Sequence, residues 1–423
     1  LFGLGSDGSR FASPPGLIIQ DELHLISGPL GSMVGLYEAV IEELCTDHRN
    51  PTSTVRPKIV ASTATIRRYE DQVLALYGRD DVALFPSPGL TAEDSYFARY
   101  ARRADGSLEP GRLYVGVHAP GLGSQQTAVV RTASSLLQAP FPMPDAERDP
   151  WWTLMMFFNS LRELGIGLSL LQSDVGDYLK VVRNRTDAKV RYLNNVQELT
   201  SRLRSEDVPA AIASLEVPCT DNGAYPVDVC LASSIIEVGI DVPRLSLMAV
   251  VGQPKTTSQY IQVTGRVGRR WQERPGLVVT IYSPSKPRDR SHFEQFRSYH
   301  ERLYAQVEPT SVTPFSPPAL DRALHAVMVA YVRQAGDDHL PAYPYPSNLV
   351  EDVRRVMLNR VRKVDREEEA NFERVFDRRA DQWRRWEPKS WQARWNDANT
   401  PLLRQAGSYA TAERAWLSWS TPQ

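Results

Sequence analysis

Two adjacent carboxylates and a histidine, Asp21, Glu22 and His24, follow the short segment LIIQ at 17–20. Because sheet proteins present functional groups at the carboxyl ends of buried strands, we expect these side chains at such an edge. One carboxylate there can hold Mg²⁺ through water, since this ion keeps several waters and takes few protein ligands. Its neighbour can orient or deprotonate a water that attacks a phosphate. Alone, the pattern is weak evidence for such chemistry, because an acidic turn after a strand is commonplace and is the more frequent explanation.

Small hydroxyl residues follow the next apolar run, in the sequence ASTAT at 61–65. Ser62, Thr63 and Thr65 are the residues concerned. Hydroxyl groups at a strand end can bond backbone groups or nearby carboxylates, although isolated residues of this kind are more often turn caps.

The segment QYIQVTGRVGRR at 259–270 combines glycines and arginines in a pattern that suits a polyphosphate. Gln262, Arg266 and Arg269 recur at spacings of four and three, which predicts one helical face carrying all of them. The two glycines between them allow close approach to another backbone. Guanidinium groups bind phosphate bidentately and stay charged. An ion-paired surface helix would explain a lone R-x-x-R, but not this segment in its sequence context.

Short apolar runs separated by amphipathic segments extend through the first 285 residues and are expected to position these groups. The predicted buried strands are 16–20, 58–62, 113–117, 153–158, 227–233, 245–251 and 276–282. Continuous apolar strands of this kind favour parallel sheets covered on both faces. The proline-rich, acidic stretch 138–150 predicts an interdomain linker. Beyond residue 300, apolar residues recur every three to four positions, which predicts long amphipathic helices.

Composition bounds these predictions. The 423 residues suffice for two or three domains, and 42% hydrophobic with 23% charged residues excludes wholesale disorder. A net charge of −1 neither demands nor excludes nucleic acid. The three cysteines are not spaced as metal ligands are, and they are too few for a disulfide framework. This pattern is typical of proteins in a reducing cytoplasm. No apolar run approaches the roughly 18 residues of a membrane span, and no signal peptide is visible.

The order of these motifs resembles that of superfamily 2 helicases. DELH (21–24) resembles motif II, ASTAT motif III, WWTLMMFFNSLRELG (151–165) motif IV, SSIIEVGID (233–241) motif V and QVTGRVGR (262–269) motif VI. The resemblance implies an α/β fold of two RecA-like lobes with parallel sheets, the first incomplete at its N-terminus, plus a mainly helical C-terminal region. It also implies that nucleotide binds between the lobes and nucleic acid lies across both.

On this resemblance, ATP and Mg²⁺ are the implied cofactors. Asp21 and Glu22 would be the metal-linked acid and the water-activating base, and His24 would link the site to motifs III and VI. The implied catalytic set is Asp21, Glu22, His24, Gln262, Arg266 and Arg269. The implied nucleotide contacts are Gly239, Asp241, Arg266 and Arg269, with Arg269 as arginine finger. Ser62, Thr63 and Thr65 would couple hydrolysis to lobe movement.

Contacts to a nucleic-acid strand are implied for Ser233, Thr200, Ser201 and Arg202. For Thr200 and Ser201, a helix N-cap is an equally good interpretation. Residues 17–45, 196–209 and 299–324 are similar to a narrower family, the large helicase of the DISARM phage-defence system, which is related to MrfA-type repair helicases. That family implies DNA, single-stranded or with a single-stranded end, and a defence-complex partner containing a domain of unknown function. An RNA helicase and a non-hydrolysing clamp are the alternatives.

A phosphate-binding loop of the form G-x-x-x-x-G-K-[ST] is missing from the 423 residues, although a helicase needs one. GLGSDG (3–8) and GLGSQQT (121–127) lack the lysine and are predicted loops. Either the loop precedes Leu1, so that the chain is part of a longer protein, or the chain is a degenerate relative. The complete set of acids and arginines favours the first. Alone, the chain is expected not to hydrolyse ATP.

The expected domains follow from these motifs. Residues 1–79 are expected to be the end of the first lobe and 80–148 a connecting region. Residues 149–298 are expected to be the second lobe and 299–423 a helical accessory region.

Overall fold

The computed structural model describes residues 13–50, 52–63, 68–87, 89, 95–186, 189–219, 225–233, 241–308, 311–336, 339–392, 401–404 and 419–420. They belong to two compact units. Unit 1 comprises Leu1–Leu84 and Pro309–Gln423, and unit 2 comprises Phe85–Glu308.

The helices and strands are numbered in chain order. The helices are α1 (Gly28–Cys45), α2 (Tyr69–Tyr77), α3 (Gln125–Gln138), α4 (Asp145–Trp152), α5 (Leu161–Leu170), α6 (Gly176–Thr186), α7 (Val208–Glu216), α8 (Thr257–Thr264), α9 (Pro287–Glu294), α10 (Phe296–Glu301), α11 (Pro317–Ala335), α12 (Ser347–Val364) and α13 (Glu369–Trp386). The strands are β1 (Leu17–Gln20), β2 (Lys58–Ala61), β3 (Arg112–His118), β4 (Leu154–Phe158), β5 (Val196–Leu199), β6 (Val229–Ala232), β7 (Leu247–Val251), β8 (Gly276–Tyr282), β9 (Ser390–Gln392), β10 (Pro401–Arg404) and β11 (Trp419–Ser420).

Unit 2 is built on a six-stranded parallel sheet with the strand order β3-β8-β7-β4-β6-β5. Successive residues of β4 belong to different hydrophobic cores: Met155 lies in the core that includes Tyr260 of α8, and Met156 in the core that includes Ala133 of α3. The central strands are buried on both faces, which explains why they read as continuous apolar runs. The predicted α/β fold with parallel sheets is therefore confirmed.

The structure divides the chain differently from the expected domains. β3 pairs with β8 along seven residues and α3 packs on the same sheet, so most of the predicted connecting region belongs to unit 2. Residues 138–150 also lie inside unit 2, with α4 following α3, and the linker predicted there is corrected accordingly. Proline and acidic residues at this point begin a short helix instead of separating domains.

Unit 1 contains the parallel pair β1–β2, in which Gln20 lies opposite Ala61. Both strands were expected to be buried, but Ile19 is 72% exposed. Ile59 packs against the small core of Leu23, Leu76 and Tyr77, so helices and turns cover one face. No described residue covers the other face, which accounts for the difference.

The helices α11, α12 and α13 pack against α1 in the largest core of unit 1. The predicted amphipathic helices are confirmed: Met357, Phe376 and Trp383 are among their buried residues. Since these helices share a core with α1, residues from 309 onward are part of unit 1, whereas a separate accessory region from 299 had been expected.

A buried charge cluster also joins α12 to the first part of unit 1. Glu42 of α1 accepts hydrogen bonds from Arg360 of α12 and from Arg79. Arg360 Nη1 also donates to the Leu76 carbonyl at 3.1 Å. Glu38, one turn earlier on α1, is buried beside this cluster, and burial raises its pKa to about 7 against the opposing charge of Arg360. None of the described helices is both long and apolar enough to cross a membrane.

Candidate functional site

The ends of β1 and β2 bring the first two predicted motifs together. Beyond the last residue pair of the strands, the Ser62 N–H donates to the Gln20 carbonyl at 2.9 Å. The Leu23 N–H donates to the Ser62 carbonyl, also at 2.9 Å. The Ser62 hydroxyl donates to Oδ1 of Asp21. A hydroxyl of the second motif therefore donates a hydrogen bond to a carboxylate of the first. The sequence had allowed either this contact or a hydrogen bond to a backbone group.

Asp21 is exposed, and its environment keeps it ionised. The hydrogen bond from Ser62, and then the one from the Glu22 N–H at 2.9 Å, hold the pKa of Asp21 below its ordinary value. Both bonds end on Oδ1, so Oδ2 accepts no hydrogen bond from a described residue. A carboxylate with one oxygen available suits Mg²⁺, which uses one or two carboxylates together with water and phosphate oxygens. Among the described residues, no three His, Cys, Asp or Glu side chains form a metal cluster by themselves.

Glu22 adopts a left-handed backbone conformation with φ 52°, which non-glycine residues rarely adopt. Such conformations concentrate at functional sites because surrounding structure must hold them. The turn leaves Glu22 Oε2 3.4 Å from Nδ1 of the buried His24. The three polar residues of DELH therefore form one local group at the end of β1.

Gln72 supports this turn and was missed from the sequence. Its side chain is buried, and Nε2 donates to the carbonyls of Leu23 at 3.1 Å and Ile26 at 2.8 Å. One feature of the sequence could have identified Gln72: it is an amide residue on the apolar face of α2, four residues before the buried Leu76. Thr65 lies outside the described residues, and Thr63 follows Ser62 at the exposed end of β2.

The motif VI segment is not the continuous helix that was expected. α8 ends at Thr264, where the Gly265 N–H donates to the Ile261 carbonyl at 2.8 Å. Gln262 lies on α8, but Arg266 and Arg269 follow in a turn, so the prediction of one helical face for all three was wrong. Gly268 has φ +67°, which an α-helix excludes, so a helix cannot continue through this residue to Arg269.

Close backbone contacts fix the position of this turn, as the glycines predicted. A Cβ on Gly268 would lie 2.6 Å from the backbone of Gly276 at the start of β8. The Gly268 N–H donates to the Leu245 carbonyl at 2.9 Å. Arg112 of β3, which sequence reasoning missed, donates to the carbonyls of Val267 at 2.9 Å and Gly265 at 3.2 Å.

Residues of motifs V and VI meet in an ion pair. Arg269 Nη1 lies 2.8 Å from Oδ2 of Asp241, and both side chains are partly exposed. This contact limits the rotamers of an arginine that would otherwise extend freely into solvent. Arg266 is half-buried, and its N–H donates to the Val263 carbonyl at 3.1 Å. Gly239 lies outside the described residues.

The predicted strand contacts lie at the carboxyl ends of β5 and β6. Thr200 and Ser233 follow the paired residues Leu199 and Ala232, so they lie side by side. Thr200 is buried and its hydroxyl accepts the Arg202 N–H at 3.3 Å within a turn. The helix N-cap considered for Thr200 and Ser201 is wrong, because the next helix, α7, begins at Val208 and is preceded by Asp207. Ser233 Oγ is buried and has no hydrogen-bond partner among the described residues. Ser201 is exposed and Arg202 lies beside it in the same turn.

Two buried amides at the same sheet edge were also missed. Asn159, after β4, donates to the carbonyls of Val251 and Gly252, both at 3.2 Å. Gln253, after β7, donates to the Tyr299 hydroxyl at 3.2 Å. The side-chain oxygens of both amides are buried without a partner among the described residues. One buried hydroxyl and two buried amide oxygens at this edge of the sheet therefore form no hydrogen bond with the described residues, although buried polar atoms usually have a partner.

Comparisons with known proteins identify the type of domain. Residues 168–270 match the helicase conserved C-terminal domain, which includes motifs V and VI. The chain is 46% identical over 326 residues to DISARM protein DrmA of Bacillus paralicheniformis, covering 76% of this chain and 28% of that protein. The chain therefore spans less than a third of the length of that relative.

Solved structures show a similar fold. Helicase Lhr of Mycobacterium smegmatis, bound to ssDNA and AMP-PNP, matches with a TM-score of 0.50 and 18% identity, over 77% of this chain and 37% of that chain. The DUF1998 helicase MrfA, bound to DNA and AMPPNP, matches with a TM-score of 0.48 and 16% identity, over 80% and 40%. The helicase resemblance seen in the motifs is confirmed, and the Lhr match supports the fold alone.

Proposed function

Because this chain carries the helicase conserved C-terminal domain, we propose that the protein containing it is an ATP-dependent DNA helicase or translocase of superfamily 2. We further propose that it is the motor of an anti-phage defence complex in the cytoplasm. The observation that carries the motor proposal is the ionised Asp21, held at a strand end by the Ser62 hydroxyl. Similarity to DrmA, a DISARM protein, supports the defence role.

In the proposed mechanism, Asp21 and Glu22 serve the hydrolysis of ATP. Bound Mg²⁺ would supply charge neutralisation at the phosphates. Asp21, anionic because its pKa is lowered, would hold a water of that ion. Glu22 would accept the proton of the attacking water. His24, 3.4 Å from the Glu22 carboxylate, would keep that carboxylate oriented.

Motifs V and VI would supply the remaining contacts to ATP. Asp241 orients Arg269, the proposed arginine finger, through their 2.8 Å ion pair. An arginine finger contributes about 10³–10⁵ in rate by stabilising charge on the transferred phosphoryl group. Gln262 and Arg266 would bind the γ-phosphate, and Gly239 would lie beside the nucleotide.

Coupling and strand binding complete the proposal. The Ser62 hydroxyl donates to Asp21, for which this proposal assigns a catalytic role, and Ser62 would act with Thr63 and Thr65 to relay hydrolysis to lobe movement. The unpartnered Ser233 hydroxyl would donate to a strand phosphate, with Ser201 and Arg202 beside it. Single-stranded DNA and ATP are the ligands that this proposal assigns to the protein, and they are the classes of ligand present in the Lhr structure, whose match concerns the fold alone. A partner protein with a domain of unknown function would complete the complex.

The test is ATP hydrolysis by the whole protein with single-stranded DNA, duplex DNA carrying a single-stranded end, or RNA. We expect the DNA substrates to stimulate hydrolysis, and salt to weaken their binding because phosphate contacts release counterions. Stimulation by RNA alone would replace the proposal by an RNA helicase. Strand binding without any hydrolysis would identify a non-hydrolysing clamp. No response to any nucleic acid would refute the motor.

A further inference from the structure

Unit 2 exposes a cluster of aromatic rings before its first strand. Phe85 is 76% exposed, Tyr96 89%, Phe97 64% and Tyr100 46%. The ring centroids of Phe85 and Phe97 lie 4.9 Å apart, as do those of Tyr96 and Phe97 at a near-perpendicular 78°. Single exposed apolar residues are common, but contiguous exposed aromatic groups mark binding surfaces.

Local hydrogen bonds hold two of these rings outward. The Ser95 N–H donates to the Ala98 carbonyl at 2.8 Å, and the Ala98 N–H donates to the Ser95 hydroxyl at 3.1 Å. Tyr96 and Phe97 are the central residues of this tight turn. Because the turn fixes the backbone before any ligand arrives, binding costs less conformational entropy.

A short hairpin supports the turn from the C-terminal side. The Glu109 N–H donates to the Ala101 carbonyl at 2.9 Å. The Arg103 N–H donates to the Ser107 carbonyl at 2.8 Å, and the chain then enters β3 at Arg112. The cluster is thus attached to the edge of the six-stranded sheet through a hydrogen-bonded segment.

An exposed arginine beside the rings indicates the chemistry of the ligand. The stretch SYFARYARR (95–103) contains three aromatic residues and three arginines, and acids precede and follow it in the sequence at 93, 94, 105 and 109. Arg99 is exposed and has no carboxylate partner among the described residues, and Arg103 lies 3.5 Å from its only described one, Glu109. Guanidinium groups bind phosphate, while aromatic rings stack on flat bases. An uncharged apolar partner would not need the arginines.

We propose that Phe85, Tyr96, Phe97 and Tyr100, flanked by Arg99, form a stacking platform for the unpaired bases of single-stranded nucleic acid. Bases within a duplex already stack on their neighbours, so only an unpaired strand presents free base faces to these rings. Every base has such a face, so little sequence preference is expected. The strand would be the substrate of the proposed motor, and to that extent the inference rests on the proposed function, although stacking itself needs no ATP.

The test measures binding of fluorescein-labelled oligothymidylate to the whole protein without ATP. Stacking of one base is worth about 5- to 150-fold in affinity, so we expect Tyr96→Ala/Phe97→Ala to lose at least about tenfold. Tyr225→Ala is the matched control, because Tyr225 is similarly exposed but precedes β6, away from β3 in the strand order. Removing exposed rings leaves no cavity, so both variants should fold.

A second variant reports contact directly. The emission of Phe97→Trp should be quenched when oligothymidylate binds, and Arg99→Gln should reduce the slope of log affinity against log salt by about 0.7. Two results would overturn the stacking platform: parental affinity in the double variant, or an unquenched tryptophan at saturating oligothymidylate. Either result would favour a protein partner for this surface. DNA-stimulated ATP hydrolysis of the parent protein, measured in parallel, tests the motor separately.

Discussion

Replacing Gly268 with alanine tests whether close backbone packing holds the arginines of motif VI in place. The new Cβ would lie 2.6 Å from the backbone of Gly276, whereas ordinary contacts begin near 3.4 Å. The turn and β8 must therefore separate by about 0.8 Å, since neither contacting atom belongs to a flexible side chain. The left-handed φ adds a separate penalty.

The expected cost can be divided between these causes. Left-handed backbone costs an alanine about 1–2 kcal/mol, and overpacking costs about 1–3 kcal/mol. Gly123→Ala is the matched control in the same unit, because Gly123 has φ +71° but a Cβ there would meet no described atom within 4 Å. The free energy of unfolding of this control should fall only by the cost of the left-handed backbone, about 1–2 kcal/mol.

Amide hydrogen exchange of β8 is the appropriate assay, because it reports the opening free energy of unit 2 itself. Gly268→Ala should lower that free energy by at least about 1 kcal/mol more than Gly123→Ala. In the whole protein, the variant should also slow the proposed ATP hydrolysis, since Arg269 follows Gly268 directly. Equal loss of protection in the two variants would show that the contact with Gly276 does not constrain the turn.

Three further predictions concern ionisable groups. Ser62→Ala should raise the lowered pKa of Asp21, so that the acid limb of the pH profile of the ATP hydrolysis proposed for the whole protein moves to higher pH. Ser62→Thr, which keeps the hydroxyl, should not shift it. Arg269→Ala should reduce hydrolysis by about 10³–10⁵ without unfolding the protein, because exposed ion pairs contribute under about 1 kcal/mol, whereas Arg270→Ala should remain active. The folded state raises the pKa of Glu38 to about 7, so the free energy of unfolding of the protein should fall as pH rises from the ordinary carboxyl pKa through 7. Glu38→Gln should remove that fall, as measured by urea unfolding at several pH values.

Each of these predictions has a contradicting result. If the acid limb does not shift in Ser62→Ala, the ionisation that limits the rate at low pH is not that of Asp21. Parental turnover in Arg269→Ala would exclude it as the arginine finger. Identical pH dependence of stability in the parent and Glu38→Gln would mean that this carboxyl ionises as freely in the folded chain as in the unfolded one.

The sequence by itself determined the elements that depend on local pattern. The central strands of unit 2 were predictable because both faces are buried, which leaves a continuous apolar run such as Leu154–Phe158. The helices α12 and α13 were predictable because their buried residues recur at helical spacing. The motif order identified the type of protein, although the roles of the individual site residues stay predictions.

Only the tertiary structure decided which of these elements share a core and where the site segments end. Arg112 reaches the carbonyl of Val267, and Gln72 reaches that of Leu23, across long sequence separations that no local pattern records. α8 ends at Thr264, and the left-handed Gly268 that follows lies directly against the backbone of Gly276, a residue distant in sequence. Residues beyond 309 join unit 1 because α1 presents apolar residues to them. Local pattern fixes the conformation of a segment, but burial against distant segments fixes its partners.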